Sequence, residues 1–217
     1  MVRKVLASVL VSLAVLAGPS AHAANQLDVR NEPQTQGPLT RTGRECDSQT
    51  LKSGGAPVIK VAFCVFFYTY DSIEIDLEND YGVVWAQASF DALKGFCTTD
   101  ISFYVEMSEG TQTYEQTPAE PLSTTKARSI DAEVLATAGN HAVLETGLVT
   151  QRFRLYPGKM SPVPTSDDQR RVGLSWSGRT PAKLAFATRA EVGWPSLSSP
   201  SMRVGADTIR LTSGQGC

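Results

Sequence analysis

From residue 57 onward, apolar and polar positions alternate with a period of two, the spacing of strands rather than helices. Val58 to Tyr70 is apolar at nearly every position, which predicts a strand buried on both faces. Ser72 to Glu78 alternates Ile73, Ile75 and Leu77 with Glu74 and Asp76, the pattern of a half-buried strand. Gly82 to Ser89, Asp100 to Ser108, Val172 to Gly178, Lys183 to Val192 and Asp207 to Leu211 read as further strands. Ser89 to Gly95 is spaced for one helical turn, with serine at the cap and glycine just past the end.

Ser129 to Thr137 and Ala142 to Leu155 flank Gly139-Asn140, a pair suited to a tight hairpin. Ala127, Ile130, Val134 and Ala138 also fit a helical stripe, but the neighbouring strands favour a strand. Three stretches rich in Pro, Ser, Thr and Gly, at 109–128, 157–170 and 192–206, are expected as long loops. The expected fold is all-β: a two-layer antiparallel β-sandwich of about nine strands.

The first 23 residues carry an export pattern. Arg3 and Lys4 precede an apolar run from Val5 to Ala17, and Ala21-His22-Ala23 has the small-x-small form of a cleavage site. That run is too short to cross a bilayer, and no second apolar segment of about 20 residues follows. The expected organisation is a signal peptide at 1–23, a flexible polar arm at 24–45 and one sandwich domain at 46–217. Secretion is the expectation, to the periplasm where the source has an outer membrane.

Charge changes the picture only by exclusion. Removing Arg3 and Lys4 from a chain of net charge −2 leaves −4, with the basic residues dispersed. That balance gives no nucleic-acid footprint.

Cys46, Cys64, Cys97 and Cys217 make an even count outside the signal, which suits two disulfides. Their scattered spacing, without C-x-x-C, argues against zinc. Of the three possible pairings, Cys64–Cys97 and Cys46–Cys217 are expected, the second joining the two ends of the domain. Cys64, Trp85 and Cys97 stand in immunoglobulin order, but the two cysteines are too close together for that fold.

Catalytic patterns are sparse. "GLSWSG" has Ser177 where the nucleophile elbow needs glycine, and it alternates like a strand. His141 is the one histidine beyond the signal and falls at the hairpin turn. No phosphate loop, H-E-x-x-H or dinucleotide fingerprint occurs. Glu74, Asp76, Glu78 and Asp80 form an acidic row in which Ca2+ is the weaker reading and a solvated strand face the stronger. No cofactor is expected.

Aromatic residues are the better binding candidates, because a ring covers the apolar face of a sugar. Trp194, ahead of Pro195, and Tyr114 are expected in loops, and Tyr68, Tyr70 and Tyr104 on one outward sheet face. The resulting expectation is a non-catalytic binding module for an extracellular polysaccharide or protein. Two alternatives compete with it. One is a structural or protease-inhibitor-like protein presenting loop 157–169. The other is a glycan-active enzyme built on Glu74 and Asp76.

Overall fold

The computed structural model describes residues 34–36, 39–70, 78–126, 128–137, 146–163, 169–181, 183–214 and 216–217. For 34–36, 115, 128–137 and 146–155 only the backbone is described. The signal segment, Glu74, Asp76, His141 and the Gly139-Asn140 turn lie outside the described residues.

All described regular structure is β. In chain order the strands are β1 (Gln34–Gln36), β2 (Leu39–Ser53), β3 (Ala56–Tyr70), β4 (Asn79–Ala92), β5 (Phe96–Met107), β6 (Gln112–Thr117), β7 (Leu122–Thr124), β8 (Arg128–Thr137), β9 (Thr146–Leu155), β10 (Gly158–Pro162), β11 (Arg171–Thr180), β12 (Leu184–Pro195) and β13 (Met202–Ser213). One five-stranded sheet has the order β2-β3-β4-β12-β6 and the other β13-β5-β11-β10-β7. A three-stranded sheet, β1-β9-β8, completes the fold, and every pairing is antiparallel. The two large sheets alone hold more strands than the nine expected.

Alternation explains the core. Val61, Phe63, Val65 and Phe67 of β3, Val84, Ala86, Ala88 and Phe90 of β4, and Phe186, Val192 and Trp194 of β12 meet Ile101, Phe103, Val105 and Met107 of β5 and Leu174 and Trp176 of β11. Both large sheets thus share one apolar layer. Ring contacts run through it, with Phe90 lying 6.3 Å from both Phe103 and Phe186.

The first large sheet is also apolar on its other side. Cys64, Phe66 and Tyr68 of β3, Val83 and Trp85 of β4, and Ala187 of β12 form a second buried cluster with Leu39. β9 contacts β12 and β1 contacts β2, which places the three-stranded sheet against this sheet. The same outward face carries Arg189 and Glu191, buried to 1% and 2% exposure and paired in register with Trp85 and Val83. Charged side chains are seldom so buried without partners, so this layer is polar and closed as well as apolar.

Several expectations need correction. Residues 39–45, expected in a flexible arm, form the start of β2, paired from Leu39 opposite Tyr70. Ser89–Ala92 continues β4 instead of starting a helical turn, and Lys94-Gly95 makes the tight turn to β5, with Gly95 at φ 94°. The segment 109–128 contains β6 and β7, and 157–170 contains β10. Of the stretch 157–169 expected to present an inhibitory loop, 158–162 is therefore sheet, and 164–168 lies outside the described residues. Residues 192–195 finish β12, and β13 begins at Met202. The strand reading of 129–137 holds, since β8 pairs with β9 along its length.

The disulfide pairing also differs. Cys46 bonds Cys64, and Cys97 bonds Cys217. Cys46 and Cys64 stand directly opposite each other in the β2–β3 hairpin, so the ladder itself brings them together. Cys97 opens β5, and Cys217 follows the end of β13, its neighbour in the sheet. In the chain-entropy model, closing 120 residues stabilises by about 5 kcal/mol and closing 18 by about 3 kcal/mol.

Two outcomes follow. Peptide mapping without reduction recovers Cys46 with Cys64 and Cys97 with Cys217. The double substitution Cys97→Ala, Cys217→Ala lowers the unfolding midpoint more than Cys46→Ala, Cys64→Ala does, as read by calorimetry.

Candidate functional site

The most exposed described aromatic side chain is Tyr114 of β6, at 40% exposure. Its ring lies 6.0 Å from that of Tyr81 on β4, tilted by 39°. Between the two strands runs β12, where Gly193 pairs with Tyr81 on one side and Gln112 on the other. A Cβ on Gly193 would stand 3.0 Å from atoms of both rings. Glycine therefore lets the two rings lie over bare backbone. Tyr114 donates to Gln112 Oε1 at 3.5 Å, which brings an amide to the edge of its ring.

The row extends one strand further. β3 pairs with β4 as far as Thr69 opposite Gly82, and Tyr70 and Tyr81 are the next residues on their two strands. Tyr70 is half-buried against the outer cluster. Tyr70, Tyr81 and Gln112 thus stand at one end of the sheet, and the Tyr114 ring, two residues along β6 from Gln112, reaches back over Gly193 beside Tyr81. Adjacent strands in a ladder are spaced by about 4.8 Å, which brings the rings within reach of one another, those of Tyr81 and Tyr114 meeting at an angle of 39°.

The other expected binding residues are elsewhere. Trp194 is on a strand and only 5% exposed, with its ring 5.2 Å from Phe67 in the core. Pro195 ends that strand and does not begin an exposed loop at Trp194. Tyr68 is buried in the outer cluster, and Tyr104 belongs to the opposite large sheet. The single outward face expected for Tyr68, Tyr70 and Tyr104 is therefore divided between two sheets.

Tyr104 has its own setting. The ring lies over Gly205 of β13, and the Arg171 guanidinium stacks 4.4 Å from its centre. Arg171 and Arg203 both reach Glu106, at 3.4 and 3.6 Å. Beside this group, Ser161, Ser175, Ser102 and Thr208 line up across β10, β11, β5 and β13. The described residues of this outward face are polar, and the one aromatic ring among them is capped by a cation.

Of the acidic row, Glu78 and Asp80 are described, and both are exposed. Asp80 accepts a hydrogen bond from Ser196 Oγ at 3.2 Å. Among the described residues, no three His, Cys, Asp or Glu side chains gather at one place.

Sequence reading missed Tyr81, Gln112 and Gly193. Tyr81 shares the phase and the face of Val83 and Trp85, but those two read as core, so parity alone would have buried it. Gln112 was hidden because β6 is short and polar. Comparison with known proteins adds no relative: no protein-family model matches the chain, and no curated protein matches it.

Burial pushes the Tyr68 hydroxyl up from 10.0 to about 12, while the Arg41 charge pulls it the other way. Below pH 10 the phenol is neutral in both folded and unfolded chains. Between pH 10 and about 12 the unfolded chain ionises and the folded one resists, so stability falls as pH rises. Tyr68→Phe removes on the order of 2 kcal/mol of that alkaline loss. Chemical unfolding of both forms at pH 9 and near pH 12 measures it.

Proposed function

We propose that this chain is an exported, non-catalytic binding module whose Tyr70–Tyr81–Tyr114 row receives the sugar rings of an extracellular polysaccharide. One observation carries the reading: Tyr114 is 40% exposed, seated over Gly193 and aligned with Tyr81. Aromatic faces cover the apolar face of a pyranose, and polar groups at the ring edge address its hydroxyls. The Gln112 side chain supplies such a group beside Tyr114.

Export is supported by two features. The N-terminal residues carry the charge, apolar run and small-x-small site of a secretory signal. The two disulfides suit an oxidising compartment. No helix among the described residues is long and apolar enough to cross a membrane.

The test is titration calorimetry against oligosaccharides of cellulose, chitin, xylan and β-1,3-glucan. At least one binds, Tyr114→Ala weakens it roughly tenfold or more, and Tyr114→Phe retains it, since loss of one stacked ring costs about 1.4 kcal/mol. Absence of binding across the panel overturns the proposal, as does binding that Tyr114→Ala leaves unchanged.

A further inference from the structure

The two rings that meet over Gly193 are also a pair of oxidisable phenols. A Cβ on Gly193 would stand 3.0 Å from Tyr114 Cε2 and 3.0 Å from Tyr81 Cε1. Each of these carbons is ortho to its ring's hydroxyl, where a phenoxyl radical carries much of its unpaired spin. The ortho carbons of the two rings thus converge on one point, and no side chain of β12 stands there because residue 193 is glycine. The ring centroids are 6.0 Å apart. Tyr114 lies on the edge strand β6 and is exposed, so its ring can swing towards Tyr81 without breaking a ladder.

The rest of the chain leads a one-electron oxidant to this pair. All four cysteines are closed in disulfides, so no free thiol competes. Trp85, Trp176 and Trp194, the three tryptophans of the chain, are all buried. Of the six tyrosines, Tyr68, Tyr104 and Tyr156 are buried, and Tyr70 and Tyr81 are half-buried. Tyr114, at 40% exposure, is the phenol that an oxidant in solution meets first. Its neighbour at the right carbon is Tyr81.

We infer that Tyr81 and Tyr114 are a site of dityrosine cross-linking, with hydrogen peroxide and a haem peroxidase as the oxidising system. The peroxidase takes one electron and one proton from each phenol, and together these reduce one peroxide to two waters. The two radicals then join Tyr114 Cε2 to Tyr81 Cε1. Each joined carbon gives up its proton to solvent while each oxygen regains one, which restores both aromatic rings. In sum, two C–H bonds break and one C–C bond forms. The product ties β4 to the edge strand β6 across β12. A partner already in place has an effective concentration in the millimolar range, about a thousandfold above micromolar protein, so the bond forms within one molecule.

Treatment of the disulfide-bonded protein, at micromolar concentration, with a haem peroxidase and one equivalent of hydrogen peroxide tests it. The wild type stays monomeric, gains the blue fluorescence of a linked biphenol and loses the mass of two hydrogen atoms. Peptide mapping finds the peptides of Tyr81 and Tyr114 joined. Tyr81→Phe and Tyr114→Phe, which keep the ring, each lower the yield of intramolecular product roughly tenfold or more. Gly193→Ala sets a methyl group between the two ortho carbons and lowers the yield with both phenols still present. The cross-linked wild type unfolds several degrees higher than the untreated protein, because the loop from 81 to 114 is closed. A wild type that forms no linked biphenol overturns the inference, as does one that gives only links between molecules. So does a link mapped to any other tyrosine, a result read on the wild type alone and independent of how the variants fold. None of these readouts depends on glycan binding.

Discussion

The structure rests on one constraint: β3, β4 and β12 must be covered on both faces. Phe63, Phe67, Phe90 and Phe186 need one apolar partner layer, and Phe66, Tyr68 and Trp85 need another. Antiparallel sheets commonly leave one side to water. Here the second large sheet covers one side, and the β1-β9-β8 sheet adjoins the other. Burial of a large apolar side chain is worth about 1.5–3 kcal/mol, so leaving either face bare would cost much of a domain's net stability. A third layer is thus a requirement of the β3 sequence itself.

This constraint sorts the surfaces that remain. The middle of the first sheet's outer face closes over Trp85, Arg189 and Glu191, which removes it from direct contact with partners. At its end, Tyr81 and Tyr114 emerge where Gly193 leaves room for both rings. The opposite sheet presents serine, threonine and charged side chains around a Tyr104 ring capped by Arg171. Between the edge strands β2 and β13 a small apolar slot, lined at its mouth by Leu51 and Val204, reaches down to Phe63 and Phe103. Aromatic row, polar face and slot are three chemically distinct places on one framework.

The strands with strong alternation were legible in the sequence. β3, β4, β5, β11 and β12 carry enough buried residues that period two stands out, and the doubly apolar Val58–Tyr70 already pointed to burial on both faces. β2, β6, β7 and β10 were not legible. β2 is an edge strand whose exposed Thr40, Arg41, Arg44 and Glu45 look like a solvated arm, and it is held by its ladder and Cys46. The cysteine pairing depended on seeing that strand. Trp194 was misplaced because Pro195 resembles the start of a loop, whereas here it closes β12, a strand paired on both sides by β4 and β6. Tyr114 was found from its polar surroundings, but its partners across β12 depend on strand order, which local pattern does not encode.

Heteronuclear NMR, with cello-, chito- and xylo-oligosaccharides added in turn to isotopically labelled protein, locates the surface that receives a glycan. A glycan bound at the tyrosine row shifts signals centred on Tyr70, Tyr81, Gln112, Tyr114 and Gly193. Changes centred on Ser102, Tyr104 and Ser175 of the opposite sheet would contradict it, as would the absence of any change.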